Sequence, residues 1–367
     1  MGKRELLLIA AFLVVGALAW RVTAPASTGD GSGFSIARVV RQARAAMRGE
    51  RVGAPVRTTT ETTPGEAVKT LLLEEFAGDV SVVGEDRPGA TAELSGSVFG
   101  ADEAESRARL AKVAVRFVEA GEVMRLAVTL PEVTQHRPSL DLRLTVPARL
   151  AVKLARIRGD VEIRGVAAVD LESRLGDLSV SDVAGLVRAE HRGGQVELTR
   201  VGEVTCEVSL ADLRVTEVRG GLECETREGR FEARGIGGTT RVESKRTDLD
   251  FETLSGAVTI EAEDARVVLR EQTAPITFTG DRSRLLLALA APVEATITAE
   301  DAPVEVSLAR GVGAAADLEV VDAALRLPEP LQPTSASENR QVFAGPVGGG
   351  GAPLVVRSRR GDVTVRR

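Results

Sequence analysis

Tyrosine is absent from this chain of 367 residues, which holds one Trp, nine Phe, two His and two Cys. Each shortage removes a class of function. So few rings leave little for stacking nucleic-acid bases, and a formal charge of −6 with a pI near 5.4 supplies no basic surface for phosphates. Sugar-binding grooves, which rest on exposed rings, are disfavoured for the same reason. The His and Cys content leaves almost nothing for a zinc centre. His136 and His191 fall in different modules, so they make no acid–base pair. No nucleophile-elbow, phosphate-loop or metal-ligand pattern is present. The expectation is no catalytic residue, no cofactor and no metal. Apolar residues, by contrast, make up 43% of the chain, enough for a substantial core.

The N-terminus is built for a membrane. Lys3 and Arg4 precede an uninterrupted apolar run from Leu6 to Trp20. As a helix this run is roughly 22 Å long, short of the ~30 Å hydrocarbon core. That suits a signal peptide, with Ala24-Pro25-Ala26 or Ala17-Leu18-Ala19 as the small-residue cleavage pattern. Continued to Ala26, with Trp20 and Arg21 at an interface, it is an uncleaved signal anchor instead. Either route exports the chain, to the periplasmic face of the inner membrane, the cell exterior or the medium. There is no Cys near the cleavage region, which removes the bacterial lipoprotein route.

Residues 27–67 read as a spacer. Ile36, Val39, Val40, Ala43 and Met47 fall at helical spacing, and Arg38, Arg41, Arg44 and Arg48 make a separate basic stripe. Such a helix either lies on anionic headgroups or stands in solvent as a spacer. A Thr/Pro-rich stretch then reads as a linker ending near Ala67.

From 151 the chain repeats every 17 or 18 residues almost throughout. Apolar residues recur at relative positions 1, 3, 10, 12 and 15, as in Val152, Leu154, Val161, Ile163 and Val166, then Val169, Leu171, Leu178, Val180 and Val183. The pattern runs on to Ala295, Ile297, Val304 and Val306. Each unit holds two short strands of period-two alternation, and no such unit buries its apolar face alone. Stacked about 4.8 Å apart, the units form continuous inward ladders. The predicted fold is all-β, a parallel β-solenoid of 17–18 residues per coil.

The same signature appears earlier at Leu71, Leu73, Val80 and Val82, and again at Leu354, Val356, Val363 and Val365. Residues 68–150 are therefore expected to be a first coil plus an inserted N-terminal cap, with a helix over 101–113 and strands over 125–130 and 140–147. Residues 151–310 are the regular array, and 311–367 a flexible, loop-rich excursion before a final coil. Solenoid ends need such caps, because an open terminal coil is an exposed sheet edge.

Gly159, Gly176, Gly194 and Gly229 mark the turn after the first strand of a unit, where glycine permits left-handed backbone angles. Arg158-Gly159-Asp160 and Arg360-Gly361-Asp362 match the triplet that adhesion ligands show to integrins. Both sit at this turn. A turn that favours Gly-Asp in an Arg-rich chain produces such triplets without a receptor.

The layout resembles the bacterial putative-adhesin family of β-strand-repeat domains. The likeness rests on "RGDVEIRGV", "LGDLSVSDVAG", "GGQVELTRVG" and the terminal "GGGGAPLVVRSRRGDVTVRR", and spans roughly residues 70–367. It implies an exported solenoid, often preceded by an anchor, and it brings no catalytic residues.

Outward positions align as well. Glu172, Glu190, Glu207, Glu225, Glu243 and Glu261 form one column. Two residues along, Arg174, Arg192, Arg227 and Lys245 form a basic column on the same face. The acidic column alone would gather divalent cations; beside the basic one it reads as a solvated salt-bridge ladder. Cys206 and Cys224 fall one coil apart in one inward column, as stacked thiols or as a disulfide. His191, aligned with Ser173, Thr226 and Ser244, fits a turn-facing polar slot.

The functional expectation is a non-catalytic envelope scaffold or adhesion surface. Its partners are the membrane, through the N-terminal segment, and an envelope protein or other ligand, with no nucleic acid. Two alternatives stand beside it: a self-assembling scaffold of the bactofilin type, and an envelope sensory module that binds a partner.

Overall fold

The structure, a computed structural model, describes residues 52–100, 102–131 and 139–367. The apolar run Leu6–Trp20, the stripe of Arg38, Arg41, Arg44 and Arg48, and His136 lie outside these residues. Among the described residues no helix is long and apolar enough to cross a membrane.

The described chain is almost all β, with one helix, Glu103–Leu110, and strands joined into one large open sheet. Two series of strands run through it in parallel. In the first, Val152 pairs with Val169, Val169 with Val187, Cys206 with Cys224, Thr240 with Val258 and Ile276 with Ala295. In the second, Val161 pairs with Leu178, Leu213 with Phe231, Phe231 with Leu249 and Leu285 with Val304. Each stretch of 17 to 19 residues thus forms one rung, and like positions meet like positions.

Period-two alternation drives this register. A slip of one residue would turn every inward side chain to water. Leu154, Leu171, Val180, Phe251 and Ile297 are all essentially without exposure. Complete burial of each such side chain contributes about 1.5–3 kcal/mol. The largest residues meet at the second series, where the Phe231 and Phe251 rings pack edge to face with centroids 4.9 Å apart.

Corners turn through the left-handed region. Leu175, Leu210, Glu228, Arg246, Asp264, Arg282 and Asp301 occupy equivalent corners with φ between 47° and 63°. None is glycine, so each carries a steric cost of about 1–2 kcal/mol. The strand pairing on both sides holds them there.

Three of the four turn glycines use the backbone freedom their spacing suggested, and all of them serve a second purpose. Gly159, Gly194 and Gly229 do have positive φ, but Gly176 does not. What these positions share is close backbone stacking. A Cβ on Gly159, Gly176 or Gly194 would come nearer than 3.0 Å to the carbonyl of Gly78, Gly159 or Gly176, respectively. The aspartates beside them tie the rungs together. Asp79 Oδ1 accepts from the Asp160 amide at 3.0 Å, Asp160 Oδ1 from that of Asp177 at 3.1 Å, and Asp177 Oδ1 from that of Gln195 at 3.0 Å. Asp160 of the Arg-Gly-Asp triplet is therefore engaged in holding two rungs in register.

Both ends of the array depart from chain order. Leu71 lies between Met124 and Val152, and Val80 between Leu142 and Val161. Residues 70–85 are thus an inner rung, covered by an outer one from Val123–Thr129 and Ser139–Pro147. Antiparallel strands close this end: Ala114–Ala120 beyond Val123–Thr129, and Ala90–Gly100 beyond Ser139–Pro147. The helix between them, Glu103–Leu110, is capped by Asp102, whose side chain accepts from the Glu105 amide at 2.7 Å.

The far end repeats the device. Leu354 lies between Ala295 and Ala316, and Val363 between Val304 and Leu325. The last rung in sequence is therefore not the last in space. Arg340–Val347 then pairs antiparallel on the outside of Ala314–Val321.

Two sequence expectations need correction. The Thr/Pro stretch is not a linker over its first part: Val52–Thr62 is an 11-residue strand, antiparallel to Ala90–Gly100. Ala54 and Val56 point inward, and the β-branched threonines suit an outer strand. Residues 311–367 are not a flexible, loop-rich excursion before a single coil. They hold a further rung, Ala314–Val321 with Leu325–Arg326, and the strand Arg340–Val347. Small inward residues, Ala314 and Ala316, and a longer step from the preceding rung hid it.

Candidate interaction surface

The outward columns fall into line. Glu172 stands opposite Glu190, Glu207 opposite Glu225, Glu225 opposite Glu243, and Glu243 opposite Glu261. Arg174 faces Arg192, and Arg227 faces Lys245. The cross-column pairs form in part. Arg174 reaches Glu172 at 3.5 Å, and Arg227 bonds Glu225. Lys245 turns to Glu263 in the next rung at 2.7 Å, and Glu243 takes Arg241 at 3.3 Å. Glu190 and Glu207 have no ion-pair partner among the described residues. With Glu223, Glu225 and Glu243 they line a shallow open groove of about 290 Å³ crossed by Arg188 and Arg241. Its floor includes Cys206 and Cys224.

Those cysteines are joined as a disulfide, with Cα atoms 4.7 Å apart. Both sulfur-bearing residues are buried, so the bond links adjacent rungs within the core.

His191 fills the polar slot. Its Nδ1 lies 2.7 Å from Ser173 Oγ, and its Nε2 contacts the Gly193 carbonyl. The assignment that satisfies both is Nε2–H donating to Gly193 and Nδ1 accepting from Ser173. Burial pushes the imidazole below its ordinary pKa, against the opposing effect of the Gly193 and Gly176 backbone.

A second charged column escaped the period-two reading, because it sits at the left-handed corners between strands. In space it runs Glu228, Arg246, Asp264, Arg282, Asp301, Arg360, Asp322, with sign alternating at each step. Arg246 bonds Glu228; Arg282 reaches Asp264 at 2.6 Å; Arg360 Nη2 reaches Asp301 at 2.7 Å. The arginine hydrogen bonds hold the Asp264 and Asp301 carboxyls below the usual carboxylate range. At the other corner Arg200 bonds Asp182 through two nitrogens, at 2.6 and 3.0 Å, with the same effect on Asp182. The signal was present in the sequence, as charges of alternating sign every 18 residues at 228, 246, 264 and 282.

No protein-family model and no curated protein matches the chain. Two solved structures are similar to it at a distance. One is a putative cell adhesion protein from Clostridium sporogenes, at 9% identity and TM-score 0.21, covering 85% of this chain and 99% of that one. The other is a putative adhesin from Parabacteroides distasonis, at 12% identity and TM-score 0.29, covering 85% and 96%. A likeness this distant carries no argument about fold or role.

Proposed function

We propose that this chain is an exported β-solenoid of the bacterial envelope that serves as a scaffold or adhesion surface and performs no catalysis. The observation that carries the reading is the set of outward columns. Glutamates from Glu172 to Glu261 and the alternating corner from Glu228 to Asp322 extend over many rungs, on strands that the core holds rigid. Such a surface suits a long, flat partner better than a small molecule, for which a concave and largely apolar pocket is the usual site. The buried Cys206–Cys224 disulfide supports an oxidising compartment. The apolar run Leu6–Trp20 supports export, either as a cleaved signal or as an anchor.

Protease accessibility in intact cells and in spheroplasts, with N-terminal sequencing of the mature chain, tests the location. Digestion before the inner membrane is breached is the expected result, and protection until it is lysed would overturn export. For the surface role, envelope extracts are captured on the full chain and on an E190K/E207K variant. A partner retained by the first and released by the second is expected; equal capture by both would move the surface elsewhere. The filament-forming alternative is disfavoured by the antiparallel strands at both ends, which leave the two-residue strand Leu325–Arg326 as a short parallel edge for the next molecule.

A further inference from the structure

The placement of the last rung points beyond an isolated molecule. Residues 352–366 fill a slot between the rung of Ala295–Glu300 and Val304–Leu308 and the rung of Ala314–Val321 and Leu325–Arg326. The strand next to them in sequence, Arg340–Val347, lies on the far side of Ala314–Val321. The inserted rung therefore lies across Ala314–Val321 from the strand that precedes it in sequence.

The tether is four glycines, 348–351, all at positive φ, and space around Gly349 is open. It arches over Gly313, which the carbonyls of Gly348 and Gly350 approach too closely for any Cβ. Val347 and Ala352 both pair with Ala314, from opposite sides. They are thus about 9.6 Å apart, two strand spacings. Five Cα steps reach roughly 17 Å, enough for the arch.

The slot is acidic and its occupant basic. Arg360 reaches Glu300 and Asp301, Arg357 reaches Asp317, and Arg366 reaches Glu305. During synthesis the rung of 314–326 emerges before the segment that will separate it from 295–308. Stacking those two rungs directly would set Asp322 against Asp301, an exposed like-charge pair that disfavours the closed stack by up to about 1 kcal/mol. Until it is filled, two parallel strand edges face each other with unpaired amides and carbonyls.

We propose that this slot accepts residues 352–366 of a second copy, giving a strand-exchanged dimer in which each chain completes the other. Every pairing and ion pair described above forms equally well between chains. Exchange of an identical element is a low-cost route to dimers. The tethered segment holds the advantage of local concentration in dilute solution, so exchange rises with protein concentration.

The test uses full-length chains carrying single cysteines at positions that face each other, Thr296 and Val355. A chain with both T296C and V355C, treated with a short bismaleimide, closes within itself and verifies the placement. A mixture of T296C chains and V355C chains, concentrated together, is expected to yield a covalent dimer whose fraction grows with concentration. Replacing Gly348 and Gly350 with proline keeps roughly 17 Å of reach but forbids the positive φ that the arch uses at both positions. Light scattering should then show a doubled mass. Closure within the double-cysteine chain with no dimer in the mixture would overturn exchange. A proline-substituted chain that stays monomeric with its terminus protected from protease would do the same. Failure of the double-cysteine chain to close would remove the slot itself.

Discussion

Arg360 Nη2 lies 2.7 Å from Asp301 Oδ2, although 59 residues separate the two in sequence. The contact exists because the final rung is inserted before the rung of 314–326. Chain order would bring Asp301 and Asp322 together. The insertion puts an arginine between them and keeps the corner alternating in sign.

Reversing that charge should loosen the terminus. In Arg360→Asp, three carboxylates occupy successive corners, and the glycine tether at 348–351 is expected to be cleaved faster by protease than in the parent. Adding Asp301→Arg restores a pair and should restore protection, read by mass spectrometry of the fragments. Identical cleavage in all three chains would mean that strand pairing alone retains the rung.

The glycine column separates two effects. Gly176→Ala pushes a Cβ into the Gly159 carbonyl, within a stack that has no room to yield. A loss of about 2–3 kcal/mol in urea unfolding is expected, at the upper end for overpacking. Gly193→Ala meets no atom within 4 Å and suffers only from its φ of +85°. Its loss should be nearer 1 kcal/mol. Equal losses would deny the close stacking.

The disulfide closes an 18-residue separation between adjacent rungs. By loop entropy, removing it costs about 3 kcal/mol. The Cys206→Ala/Cys224→Ala chain should unfold at correspondingly lower urea, and reductant should shift the parent but not the variant. Two free thiols titrated in the unreduced, denatured parent would refute the bridge.

His191 makes stability depend on pH. Burial lowers its folded pKa below the ordinary value of 6.5, so the unfolded chain binds the proton more readily. Its contribution is complete above about pH 6.5 and declines as pH falls below that value. The parent should therefore lose more stability than His191→Ser between about pH 7.5 and 5. Parallel losses in the two chains would show that other groups set the slope.

The inward columns were legible because a buried strand writes period two into the chain, and each rung writes it again. Val152 to Val169 and Cys206 to Cys224 could be aligned by counting. The strand Val52–Thr62 was not legible. Its inward residues are small, and its partner, Ala90–Gly100, lies outside any local window. The rung at 314–326 was hidden by its alanines. On the candidate surface, the glutamate column could be read from spacing, but not that Glu190 and Glu207 have no ion-pair partner among the described residues. Side-chain pairing depends on which opposite charge is nearest, as Lys245 shows by bonding Glu263, the next residue in its own column, rather than Glu243 two residues back.

By itself, then, the sequence determined that short strands stack in register and which side chains face inward, since alternation and spacing are local properties of the chain. Only the tertiary structure decided the order of the stack. Rungs with the same apolar pattern are interchangeable neighbours as far as burial is concerned. Contacts between distant residues, Leu71 with Met124 and Arg360 with Asp301 among them, select one arrangement from many that would bury the same surface.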